Sequence, residues 1–157
     1  ELLAYIRAHP GQVAFGTPGN GTTAHLITAM FMRAAGGLEM VHVPYRGGGP
    51  ALNDVLGGQV PLLWVSIPAA AQFVKSGKLK AIAVSTAKRS AAFPDVPTVQ
   101  EGGVADFEVD SWYAMFVPAR TPRAVIERLN KALKDIRANG TYDKIQKKYF
   151  SFDIYGE

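Results

Sequence analysis

Residues 16–23 read GTPGNGTT, one residue away from the phosphate loop G-x-x-x-x-G-K-[ST], with Thr22 standing where that loop carries its lysine. The chemistry of such a loop is anion capture. Glycines let backbone amides approach a ligand closely, and a helix that follows points the positive end of its dipole at it. Without the lysine no side-chain charge reaches the outer phosphates of a nucleoside triphosphate, so a smaller, less charged anion such as a carboxylate fits better. The same residues also suit a glycine-rich turn in which Thr22 or Thr23 serves only as a helix cap.

A second glycine-rich stretch, YRGGG at residues 45–49, follows the next strand candidate. In an open parallel sheet the strand-to-helix loops gather at the carboxyl ends of the strands, so the two stretches are expected to form two walls of one pocket. Arg46 can grip a carboxylate through two parallel N–H bonds or stand solvated. Tyr45 can stack on or bond a ligand, or close the edge of the core. Ser66, after the third strand candidate, lies at the same level.

Catalysis needs a nucleophile and a positioned base. His25 follows the first loop as a packing or capping residue, and His42 lies within a strand as the half-buried partner of a neighbour. Neither has an identifiable orienting partner. There is no G-x-S-x-G elbow, no H-E-x-x-H and no cysteine, while Asp95, Asp106 and Asp110 are scattered on loops. The residues therefore point to binding without catalysis, and to no cofactor and no metal.

The elements that must position these loops are legible in the periodicity. Helices are expected at residues 2–8, 24–35, 51–56 and 69–75, and strands at 13–15, 40–43, 60–65 and 79–84. In the first long helix Leu26, Ile27, Met30 and Phe31 fall at helical spacing. Strands alternating with helices through short loops predict an α/β fold, a parallel sheet covered on both faces in a three-layer lobe. Residues 88–103 form a long proline-marked loop, and residues 107–117, with the pair Trp112-Tyr113, resume as extended chain. Thr121 as cap and Pro122 as first helical residue then open a helix. Its apolar stripe is Val125, Ile126, Leu129, Leu133 and Ile136. A shorter helix over 142–150 follows, with Tyr142, Ile145 and Tyr149 on one face.

Of 157 residues, 48% are apolar and 19% charged, the balance of a folded domain. Seven of the 17 Lys and Arg fall within residues 128–148, and the net charge is +4. Aromatic and basic residues are not interleaved there, which favours a solvated helix face over a nucleic-acid surface. A chain that opens at Glu1 without a signal-like apolar stretch is expected to be a processed product or a fragment.

The stretches FGTPGNGTTAHLITAMFMRAAG, HVPYRGGGPALNDVLGGQV, GKLKAIAVSTAKRSAAFPDVPTVQEGG and SWYAMFVPARTPRAVIERLN resemble, in order over residues 1–130, the substrate-binding proteins of tripartite tricarboxylate transporters, the Bug-type receptors. The resemblance implies a type II-like periplasmic binding protein that captures a small carboxylate between two hinged lobes and hands it to membrane transporter subunits. It assigns ligand contacts to Thr17, Asn20, Gly21, Thr22 and Thr23 in the first loop and to Tyr45, Arg46 and Gly47 in the second, with Ser66 beside them. It implies a lobe over 1–118 and a helical segment over 119–157 that returns to the other lobe, most of which this chain lacks. Residues 119–157 are then expected to fold back or to exchange with a second copy as a swapped homodimer. The ending GTYDKIQKKYF resembles instead the periplasmic receptors of polar amino-acid ABC transporters, which adds an amino acid to the ligand classes. A chimeric or engineered scaffold that binds nothing is the alternative.

Overall fold

The computed structural model describes residues 1–111 and 114–149. It divides into two compact units, Glu1–Ser111 and Trp112–Glu157. The expected aromatic pair at 112–113 and Phe150, the last residue of the final predicted helix, lie outside the described residues.

The first unit opens with α1 (Leu2–Ala8), whose Ile6 is 1% exposed, and runs into β1 (Ala14–Thr17). Next come α2 (Thr23–Ala34), β2 (Val41–Pro44), α3 (Gly48–Leu56), the two-residue β3 (Leu62–Leu63) and α4 (Ile67–Lys75). The three strands form one parallel sheet in the order β2-β1-β3. Ala14 to Thr17 pair with Val41 to Pro44 in register, while only Phe15 and Gly16 pair with Leu62 and Leu63. The α/β class with a parallel sheet, read from the alternation of elements, is therefore the observed one.

One buried cluster joins Ile6, Val13, Ile27, Phe31, Ala35, Leu38, Val99, Val104 and Phe107. Ile27, Phe31 and Ala35 recur every four residues and make the inward stripe of α2. Leu26 and Met30 stand one position earlier, turned about 100° from that stripe, and are exposed by half. The Arg7 guanidinium donates to the Ala35 carbonyl at 3.0 Å, tying the end of α1 to the end of α2.

The fourth strand expected at residues 79–84 does not form. Val84 makes a single parallel bridge with Thr98, its N–H donating to the Pro97 carbonyl and its own carbonyl accepting from Val99. Residues 79–83 alternate in burial, with Ala81 and Ala83 half-buried and Ile82 46% exposed, but Val84 is buried as well. Period-2 burial reports which side faces the core, not whether a ladder partner lies alongside. The proline-marked loop is held by the Glu101 carboxylate, which accepts from Arg89 Nε and from the Thr98 N–H, each at 2.8 Å.

In the second unit α5 (Arg123–Ala138) and α6 (Thr141–Tyr149) form a helical hairpin. Pro122 itself is the N-cap of α5, so the helix starts one residue later than the Thr-Pro pair suggests. Of the predicted stripe, Ile126 and Leu129 are half-buried, while Val125, Leu133 and Ile136 are exposed.

Because Ile6 links α1 to the same cluster as α2, Ile6→Ala should lower unfolding free energy by about 2–5 kcal/mol. Urea denaturation should show this as a lower midpoint at unchanged slope. A loss below about 1 kcal/mol would mean that α1 is dispensable to this core.

Candidate functional site

Parallel pairing places the carboxyl ends of β1, β2 and β3 at one edge, and the starts of α2, α3 and α4 with them. The first two loops are fastened to each other. Thr17 is completely buried, and its carbonyl accepts from the Tyr45 N–H at 3.0 Å. The Pro18 carbonyl accepts from the Gly47 N–H at 2.8 Å. Gly19, at φ +149, packs so near the second loop that an added Cβ would stand 3.2 Å from the Tyr45 carbonyl oxygen. Only a glycine fits there, which explains the residue at the middle of GTPGNGTT.

Within the first loop Thr17, Gly19, Gly21 and Thr22 have internal partners. Thr22 is the N-cap of α2: its Oγ1 accepts from the His25 N–H at 3.4 Å and donates to the Gly19 carbonyl at 2.8 Å. The Gly21 N–H donates to His25 Nδ1 at 3.1 Å. Thr17 Oγ1 accepts from the Gly19 N–H and lies 2.6 Å from His42 Nε2. Asn20, Gly21 and Thr23 are exposed.

The second loop is shorter than its glycines suggest. Gly47, at φ +119, is the N-cap of α3, so Gly48, Gly49 and Pro50 belong to the first helical turn rather than to a loop before residue 51. Proline is accommodated at that level because the N–H it lacks would have no intrahelical acceptor. The Tyr45 hydroxyl donates to Asp54 Oδ2 of α3 at 2.7 Å, and the ring lies against Gly16, where a Cβ would meet it at 3.3 Å. That bond to Asp54 raises the Tyr45 pKa. Arg46 is exposed, with no hydrogen bond or ion pair to another described residue. Ser66 is the exposed N-cap of α4, makes no side-chain capping bond, and shares no hydrogen bond with the two loops.

What this edge offers a ligand is therefore mostly backbone. The first-turn amides of Thr23 and Ala24 in α2 and of Gly48 and Gly49 in α3 have no intrahelical acceptors. Arg46 is the one cationic side chain in the two loops.

Residues 1–156 match the family described as the tripartite tricarboxylate transporter family receptor. The chain belongs to that family. It is 38% identical over 135 residues to Protein BugT of Bordetella pertussis, covering 85% of this chain and 41% of that protein. Among solved structures it resembles R. palustris Rpa4515 with adipate, at 33% identity and TM-score 0.81, over 86% of this chain and 45% of that one. It also resembles MatC from Rhodopseudomonas palustris with bound malate, at 28% identity and TM-score 0.76, over 85% and 45%. A short stretch of 30 residues is 63% identical to the histidine-binding periplasmic protein of Salmonella typhimurium, 19% of this chain and 12% of that protein. The chain spans about two fifths of the length of BugT and of two further curated relatives at 37–38% identity.

Two contacts beside the loops were not foreseen, the ring stack of His25 on His42 and the bond from Tyr45 to Asp54. The imidazole centroids are 4.1 Å apart with planes at 13°, and His42 stacks in turn on Phe15 at 4.9 Å. Both were accessible in principle. His42 and Phe15 are register partners on adjacent strands, and His25 is the third residue after the α2 cap.

Burial first, and then the neighbouring His25, lower the His42 pKa below its ordinary value. A histidine whose folded-state pKa is depressed binds its proton more readily in the unfolded chain, so stability rises with pH across that window. Stability should accordingly be complete above about pH 6.5 and fall as the pH drops below it. Melting temperatures from pH 7.5 to 5 should show the decline, and His42→Gln should make it shallower. An identical decline in the variant would place its origin elsewhere.

Proposed function

We propose that this chain forms a lobe of a periplasmic solute-binding receptor that holds a small carboxylate without transforming it, for delivery to membrane transporter subunits. The observation that carries the reading is the pair of interlocked loops presenting the free first-turn amides of α2 and α3 at one sheet edge, with Arg46 beside them. Amides and one guanidinium suit a carboxylate, whereas Thr22, engaged as a helix cap, supplies none of the charge that a triphosphate needs. Thr17, Asn20, Gly21, Thr22, Thr23, Tyr45, Arg46, Gly47 and Ser66 are the residues proposed to frame the site. Thr17 and Tyr45 serve it by fixing the backbone, since the Tyr45 hydroxyl is held by Asp54.

Family membership and the adipate and malate complexes of two relatives support a dicarboxylate as the ligand class. A second reading, a lobe that retains the fold and binds nothing useful, is favoured by the fraction of its relatives' length that the chain spans. One lobe alone buries little of a ligand. Exchange of α5 and α6 with a second copy is favoured by the exposure of Val125, Leu133 and Ile136, and a light-scattering mass of one chain without binding of a hydrophobic dye removes it.

Adipate and malate should raise the melting temperature, the gain reaching about 2.7 kcal/mol at one hundred times the dissociation constant, while ATP with magnesium should not. Arg46→Ala should weaken binding by about tenfold or more, as loss of a charged hydrogen bond does. Absence of any shift with either acid favours the non-binding lobe, and a shift that survives in Arg46→Ala makes Arg46 a bystander.

A further inference from the structure

The two stacked histidines lie behind the anion loop and touch both of its ends. At the start of the loop, His42 Nε2 is 2.6 Å from Thr17 Oγ1, which also accepts the Gly19 N–H. At its end, His25 Nδ1 accepts the Gly21 N–H at 3.1 Å, and the His25 N–H is the donor to the Thr22 cap. The stack closes the path between the two ends. Residues 18–22, the turn between β1 and α2, are thus strapped across their back by two imidazoles, one from α2 and one from β2.

We infer that His25 is the positioning residue of the anion loop, holding the Gly21 amide on Nδ1 only while its imidazole is neutral. The inference deepens the receptor reading and rests on it for the ligand part alone. A hydrogen bond from the Gly21 N–H requires a lone pair on Nδ1, and the imidazolium has none, since both of its nitrogens donate. Proton uptake therefore turns the Gly21 amide from partner to opposed donor and releases the turn. The stack works in the same direction, because a second cation on His42 would stand face to face with the first.

Among the described residues, the ionisable side chain seen against the His25 ring is His42. β2 presents His42 to it, and on the far side of His42 stand Phe15 and Thr17 of β1, neither of which titrates. The turn itself holds no ionisable residue, and α2 carries none besides His25 until Arg33. Beyond the end of β2 stand Tyr45, bonded to Asp54, and the exposed Arg46.

The first measurement needs no ligand. In proton–nitrogen spectra of the whole chain from pH 8 to 5, the Gly21 amide should shift with the same midpoint as the His25 ring. A Gly21 amide that stays still while the His25 ring titrates would overturn the inference. The second uses adipate and malate with wild type, His25→Gln and His25→Ala. Glutamine offers an acceptor oxygen that takes no proton, so His25→Gln should bind within about twofold of wild type at pH 8 and hold that affinity at pH 5.5. His25→Ala should lose roughly threefold to tenfold at pH 8, the range for one hydrogen bond. Wild type should lose affinity on acidification. Equal acid sensitivity in wild type and His25→Gln would refute the assignment. If neither acid binds wild type, the receptor reading falls while the Gly21 titration still decides whether His25 holds the loop.

Discussion

The burial of Thr17 at the end of β1 is the constraint on which the candidate site depends. A hydroxyl with no access to water must find all its partners inside the protein. Thr17 finds them in Gly19, two residues on, and in His42 on the next strand. Its carbonyl, continuing the β1–β2 ladder, takes the amide of Tyr45. One side chain and one peptide unit thereby fix the start of the first loop, the end of the second strand, and the distance between them. The close packing of Gly19 against Tyr45 and the bond from Gly47 to Pro18 follow from that spacing.

The internal bonds of Thr17, Gly19 and Thr22 also bear on the proposed carboxylate site, whose loop has no lysine. In a lysine-bearing phosphate loop, charge is brought by a long side chain. Here the donors left over are backbone amides at two helix starts, fixed in direction by the helices that own them. Such an edge has a modest positive potential and little freedom to rearrange, which matches a small carboxylate better than a highly charged polyphosphate.

Much of this was legible in the sequence. Glycine spacing located both loops, alternating periodicity gave the parallel sheet, and α1 falls over residues 2–8 as the pattern predicts. Misreadings came where local pattern and long-range pairing part company. Residues 79–84 have the apolar, partly β-branched composition of a strand, but a ladder needs a neighbour, and the sequence of one segment does not state whether its neighbour is there. Gly48, Gly49 and Pro50 read as loop because two of them weaken helices and the third interrupts them. Their place in the first turn removes the proline objection, because that turn's amides have no acceptors to lose. Asp54 went unnoticed as the anchor of Tyr45 because a single acid on a short helix carries no pattern. The stack of His25 on His42 depends on strand register, which periodicity does not specify.

The uneven lengths of the ladders have a consequence for how this lobe opens. β1 is paired along four residues with β2 and along only two with β3. Local opening follows the number of bonds and contacts that must be given up. Amide protons on the β3 side therefore exchange with solvent at lower cost than those between β1 and β2. Both glycine loops hang from the more durable pair. The fold can fray at β3 while the two glycine loops stay assembled, so the cost of opening is lowest on the side of the sheet away from the β1–β2 seam.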